Sequence, residues 1–100
     1  MIRGTTPTFT FTLPFEADGL ITDLRVTFAQ GDETVLEKSI ADCTLDGAKI
    51  GLNLTQEETL KFNHEKTIKI QVKVKFSDGS VAAAKPCFVF CREILNEEVL

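Results

Sequence analysis

Thr67-Ile68-Lys69-Ile70-Gln71-Val72-Lys73-Val74-Lys75-Phe76 alternates polar and apolar residues without a break and runs into Ser77-Asp78-Gly79-Ser80. Ile68, Ile70, Val72, Val74 and Phe76 fall on one face, and Thr, Lys and Gln fill the other. A period of two marks a strand half-buried against a core, and the Asp-Gly that follows is a strong hairpin signal. The expected core therefore takes these five apolar residues, and Lys69, Gln71, Lys73 and Lys75 face water. With Lys66 beside them, the lysines read as a solvated face that discourages edge pairing.

Working back from this strand, Thr8-Phe9-Thr10-Phe11-Thr12-Leu13 alternates in the same way, with Phe9, Phe11, Leu13 and Phe15 inward. Pro14 belongs at the end of that strand or on an edge. Ala17-Asp18-Gly19 forms a turn, and Leu24-Arg25-Val26-Thr27-Phe28 follows with positions 24, 26 and 28 inward. Gln30-Gly31-Asp32-Glu33 turns the chain into residues 34–40. There the alternation blurs, because Leu36, Lys38 and Ile40 compete with Val35, Glu37 and Ser39, and the faces stay open. Asp46-Gly47 turns into residues 48–54, with Ile50, Leu52 and Leu54 inward. Thr55-Gln56-Glu57-Glu58 is a capping box that opens one helical turn running through Leu60 and Phe62. Asn63-His64-Glu65-Lys66 links this turn to the long strand. The final strand, Val81–Cys91, is interrupted at Pro86 and is apolar on both faces, which places it between layers or beneath the C-terminus.

About seven short strands, turns every eight to twelve residues and one helical corner predict an all-β, antiparallel, immunoglobulin-like β-sandwich in a single domain, residues 1–100. A small closed barrel is the alternative. The helical turn favours the sandwich, since it would carry the chain from one sheet to the other. One hundred residues with 43% hydrophobic content suffice for one core.

Net charge is −4, which argues against binding nucleic acid through its phosphates. No apolar run approaches the length of a membrane span. The stretch Met1-Ile2-Arg3-Gly4-Thr5 lacks the apolar core of a secretory signal, so a cytoplasmic location is expected. The three cysteines, Cys43, Cys87 and Cys91, are expected to be free thiols. Cys87 and Cys91, four apart on one strand, would sit ~13 Å apart, too far for a disulfide, and read as small buried hydrophobes.

Chemistry is sparse. His64, the single histidine, sits in a polar link with no carboxylate or nucleophile placed by sequence to serve it. Ser77 and Ser80 are accounted for by their turn, and Ser39 lacks a nucleophile-elbow context. Glu16, Asp18, Asp23, Asp32, Glu33, Asp42 and Asp46 cluster in loops without calcium-loop spacing. The sequence therefore predicts no enzyme, no cofactor and no metal. The segment Arg92-Glu93-Ile94-Leu95-Asn96-Glu97-Glu98-Val99-Leu100 stands out. Ile94, Leu95, Val99 and Leu100 form a candidate interface, docking on their own domain or on another subunit.

Three stretches carry a resemblance: Gly4-Thr5-Thr6-Pro7-Thr8-Phe9-Thr10-Phe11, then Asp23-Leu24-Arg25-Val26-Thr27-Phe28 with Gln30-Gly31, and Leu52-Asn53-Leu54-Thr55-Gln56-Glu57-Glu58-Thr59. Together they resemble small conserved-hypothetical proteins of Firmicutes phages and prophages. The order of strand, Asp-Leu strand, Leu-Thr corner and long strand with an Asp-Gly hairpin is similar to the N-terminal immunoglobulin-like domain of phage baseplate upper proteins. The resemblance implies a virion component of the tail or baseplate, cytoplasmic during assembly. Its partners would be copies of itself or other phage structural proteins, with no nucleic acid and no membrane. The sequence departs from that family in ending at residue 100, with no receptor-binding or trimerising extension, so the resemblance does not carry host-receptor attachment over. A glycan- or peptide-binding module on a similar sandwich is the alternative. Such a module needs exposed aromatics, and all eight Phe are expected in or near the core.

Overall fold

A computed structural model describes residues 1–13 and 20–93. The long alternating stretch is strand β6, Lys66–Phe76. Ile68, Ile70, Val72 and Val74 are buried, whereas Phe76 is half-buried and packs against the core rather than within it. Lys69, Gln71, Lys73 and Lys75 are exposed, as their register predicts. Antiparallel pairing places β6 beside β2, Ile21–Gln30, with buried pairs Leu24 to Val74, Val26 to Val72 and Phe28 to Ile70.

Among the described residues, two antiparallel sheets pack face to face. One has the order β1-β5-β4, from Thr8–Thr12, Lys49–Asn53 and Cys43–Asp46. The other runs β3-β2-β6, with β3 at Glu33–Ser39, and ends in β7 (Val81–Ala83) and β8 (Cys87–Cys91). Both of these last strands pair with β6, β7 along residues 73–75 and β8 along 66–70. They occupy one edge position in succession, so the chain makes the all-β sandwich of seven strand positions that its patterning predicts. Among the described residues it is not closed into a barrel, because each sheet keeps two edges. The strand order has its own character. In an immunoglobulin constant domain the second strand pairs with the fifth, whereas here β2 lies between β3 and β6.

The turns follow their sequence signals. Gly47 (φ 58°) and Gly79 (φ 90°) adopt the left-handed conformation that hairpin turns demand and glycine adopts without strain. In the capping box, Thr55 Oγ1 accepts the Glu58 N–H at 3.1 Å, and Glu58 Oε1 accepts the Thr55 N–H at 2.9 Å. It opens the helical turn α1, Gln56–Thr59, which carries the chain from β5 across to β6 in the other sheet, as expected. Aromatic edges link all three parts. Phe9 of β1 meets Phe28 of β2 at 5.6 Å between centroids, and Phe28 meets Phe62, beyond α1, at 6.1 Å.

The blurred stretch after Gly31 has a specific cause. Phe28 pairs with Leu36 and Ala29 with Thr34, so Val35 is an extra residue in a β-bulge. Past the bulge, Leu36 and Lys38 lie opposite the buried Phe28 and Val26 and share their face. Lys38 thus points along the inner side of an edge strand, where its ammonium pairs with the Glu58 carboxylate; the two side chains are 13% and 17% exposed. The strand ends at Ser39, and Ile40–Asp42 form a 3-10 turn capped by Ser39 and Asp42 rather than continuing β3.

The last strand corrects three expectations. β7 and β8 do not lie between layers but on an edge of the sheet beside β6, and residues 94–100, the alternative cover, lie outside the described residues. Pro86 has no N–H for a ladder bond, so the strand breaks there and resumes one residue out of register with β6. Only Cys91 of β8 is fully buried and Val89 half-buried, whereas Cys87 is exposed rather than core. Phe88 and Phe90 are also exposed, against the expectation that every Phe serves the core.

Candidate interaction surface

The outer face of the β2–β6–β8 sheet carries two adjoining columns of side chains. Lys75, Lys73, Lys69 and Thr67 of β6 form the first. Their cross-strand partners Val81, Ala83, Phe88 and Phe90 form the second, on the edge. Because paired residues in an antiparallel ladder share a face, each lysine stands beside an apolar neighbour. The edge column is open to water: Val81 is 54% exposed, Phe88 64% and Phe90 43%. Lys85 and Arg92 are exposed at the break and the end of this edge, and the Arg92 guanidinium lies 5.9 Å from the Phe90 ring centroid. The result is a cationic and aromatic strip on a chain whose net charge is −4.

The N-terminal residues limit the strip at one end. Ile2 forms a parallel bridge to Arg92, with Arg92 N–H donating to the Met1 carbonyl at 2.7 Å and Arg3 N–H to the Arg92 carbonyl at 3.1 Å. The terminal ammonium of Met1 donates to the Phe90 carbonyl at 2.8 Å. In this ladder Phe90 and Arg92 turn backbone groups away from β6, and alternation turns those of Phe88 the same way. The hydroxyl of Thr59, fully buried, anchors the same N-terminal stretch: it accepts the Gly4 N–H at 2.9 Å and lies 3.0 Å from the Thr5 carbonyl.

On the same side of the sandwich, a groove of about 380 Å³ separates β1 from the β6–β8 edge. Phe9, Phe11 and Leu13 line one wall, and Ile70, Val72 and Val89 the other. A second, polar groove of about 640 Å³ runs between the start of β1 and the capping box, lined by Thr6, Thr8, Asn53, Thr55, Gln56 and Glu57. It offers hydroxyls, amides and one carboxylate, with no aromatic wall.

Of the residues singled out for chemistry, Ser39 and Asp42 meet, and Glu16 and Asp18 lie outside the described residues. His64 is exposed in the link before β6. Among the described residues no group of three or more His, Cys, Asp or Glu side chains could hold a metal ion. Asp42, Asp78 and Asp23 are held by neighbouring groups. Asp42 accepts the Ser39 N–H at 3.0 Å and its hydroxyl at 3.2 Å, which hold its carboxyl below the ordinary carboxylate range. The Ser80 hydroxyl and N–H do the same for Asp78, at 2.6 and 2.8 Å. Asp23 pairs with Arg25 at 2.8 Å. Burial, with the neighbouring Asp42 charge, pushes the Cys43 thiol up, and burial likewise raises Cys91.

The predicted interface residues Ile94, Leu95, Val99 and Leu100 lie outside the described residues. Val81, Phe88 and Phe90 were missed as surface residues, although their signal was present. A strand apolar on both faces suits a doubly covered position, and on an open edge one face is left bare. The chain matches no protein-family model, no curated protein and no solved structure.

Proposed function

We propose that this protein is a non-enzymatic interaction module of a phage or prophage virion, built into the tail or baseplate and cytoplasmic until assembly. The observation that carries the interaction role is the exposed strip of Val81, Phe88 and Phe90 beside the β6 lysines. Large aromatic side chains left in water on a rigid sheet cost solvation, and such patches commonly mark contact surfaces. The assignment to a virion rests on the resemblance of the N-terminal, Asp-Leu and capping-box stretches to small phage proteins. Partners on this reading are proteins, either other copies or neighbouring structural components.

Particles purified on a density gradient after prophage induction, then analysed by mass spectrometry, test the virion assignment. Stoichiometric recovery of the chain with the tail proteins is expected, and genes for tail and capsid proteins should flank its own. A chain absent from particles and flanked by sugar-utilisation genes would overturn it. That second outcome suits the alternative of a glycan- or peptide-binding module, which Phe88 and Phe90 favour to the extent that they supply exposed rings.

A further inference from the structure

We propose that the strip formed by β6 and the β7–β8 edge binds an extended segment of another protein in which acidic and apolar residues alternate. This deepens the interaction-module reading and rests on it.

Cross-strand pairs build the strip: Lys75 with Val81, Lys73 with Ala83 and Lys69 with Phe88. Each sets an ammonium on the inner column and an apolar side chain on the edge. The columns stand ~4.8 Å apart, and same-face residues along each repeat every ~6.8 Å. From Lys75 to Lys69 the inner column runs about 20 Å, the span of six or seven extended residues. Its charge is unanswered: among the described residues no carboxylate pairs with Lys69, Lys73 or Lys75. Asp23 and Arg25 lie across β6 from Lys75 and Lys73, and they pair with each other at 2.8 Å. That corner holds three cations to one acid, and like charges opposite each other on a sheet are unfavourable. A hollow of about 230 Å³ opens there, walled by Arg25, Lys73, Lys75 and Val81, with room for a side chain beside the ammonium groups.

Charge and spacing together state the occupant's chemistry. The inner column calls for carboxylates and the edge column for apolar side chains, so the complement is both acidic and apolar. An extended segment lying along the boundary turns successive side chains to opposite sides, with the same ~6.8 Å repeat as the columns. Alternation of acid and apolar residue therefore puts every carboxylate over the lysines and every apolar group over the edge. A helix repeats its face about every 5.4 Å and drifts out of step with both columns. A single-stranded nucleic acid suits the strip less well. Its bases need rings to stack on, and the edge offers rings only at Phe88 and Phe90, with the Arg92 guanidinium already 5.9 Å from the Phe90 centroid. A long polyanion or an anionic bilayer would also meet the chain's net charge of −4, whereas a short segment meets only the strip.

The test titrates the full chain into fluorescein-labelled octapeptides held at nanomolar concentration and reads fluorescence anisotropy. One peptide alternates Glu and Leu, a second has the same composition with all Glu before all Leu, and a third alternates Lys and Leu. The alternating Glu-Leu peptide should bind, with affinity that falls as salt rises. The block-ordered peptide should bind at least about 5-fold more weakly, since it cannot serve both columns in step. Phe88→Ser should weaken binding by about 10-fold or more. The double variant Lys69→Glu, Lys73→Glu should lose the Glu-Leu peptide and take up the Lys-Leu one, a reversal that a merely unfolded protein would not show. All three substitutions fall on exposed side chains, and circular dichroism checks that each variant is folded. No binding of the alternating Glu-Leu peptide overturns the proposal, as does equal binding of the block-ordered one or binding that ignores all three substitutions. Labelled oligothymidylate or anionic lipid vesicles binding through Phe88 where the peptide does not would overturn it too. So would a dimer in sedimentation velocity that Phe88→Ser dissolves, which would give the strip to a second copy. Recovery of the chain in particles is read separately, so a failed peptide titration leaves the virion assignment standing, and absence from particles leaves the peptide result standing.

Discussion

Replacing Lys38 and Glu58 singly and together tests an ion pair that the sandwich holds on the inner side of an edge strand. The pair ties β3 to the capping box of α1, with the two side chains 13% and 17% exposed. Two opposite charges ~4 Å apart attract by about 4 kcal/mol at an effective dielectric constant of ~20, before desolvation is subtracted. Exposed pairs retain ~0.2–1 kcal/mol of this, and breaking a fully buried pair costs ~3–5 kcal/mol. With most of each side chain covered, the expected loss for Lys38→Ala is ~2 kcal/mol, and the coupling energy from the double-mutant cycle with Glu58→Gln is ~1–2 kcal/mol. For a domain of this size that is a fall in Tm of roughly 8–16 °C for the single variant. Glu58→Gln is the right partner because its amide oxygen can still accept the Thr55 N–H, so the cap survives while the charge is lost. The pH dependence has a fixed sign. Burial raises the Glu58 carboxyl, but the Lys38 ammonium and the Thr55 bonds outweigh it and hold it below its ordinary value. A carboxyl lowered on folding contributes stability that is complete above its unfolded pKa and lost as pH falls through the folded one. The gap in Tm between wild type and Glu58→Gln, followed by calorimetry from neutral to acid, should therefore close in acid. A coupling energy below about 0.3 kcal/mol, or a gap that does not change with pH, refutes the claim that this pair holds β3 to α1.

Val72, 4% exposed at the centre of β6, and its exposed neighbour Lys73 give opposite expectations. Val72→Asp buries an unpaired charge and should leave the chain unfolded by circular dichroism, while Lys73→Asp should change stability by less than ~0.5 kcal/mol; the reverse ranking would invert the facing of β6. Thiol titration should count three free cysteines in denaturant without reductant. In the native protein Cys87 should react fast, half-buried Cys43 slowly and Cys91 only on unfolding, and a count of one in denaturant would mean an oxidised pair. At Gly51, on the outer face of β5, an added Cβ would meet nothing within 4 Å. Gly51→Ala should therefore stabilise the isolated protein by ~0.5–1 kcal/mol in a denaturant melt, and a loss would reveal a packing contact at that position.

Local chemistry alone set the regular parts of this protein. The alternation from Thr67 to Phe76 admits one facing, because a strand's side chains alternate whatever lies around them. Asp46-Gly47 and Asp78-Gly79 make their turns from glycine's own conformational freedom, and Thr55 and Glu58 cap α1 within four residues of each other. The blurred stretch at 34–40 needed the partner strand, since the bulge at Val35 exists only in the register of β3 against β2 and is what turns Lys38 inward. The same is true of the surface. Whether Phe88, Phe90 and Cys87 are core or exposed depends on which strand lies outermost beside β6, a question of sheet order rather than of local pattern. Pairing between residues far apart in the chain decides that order, so a strand apolar on both faces reads alike whether it is destined for the centre of a sandwich or for an open edge.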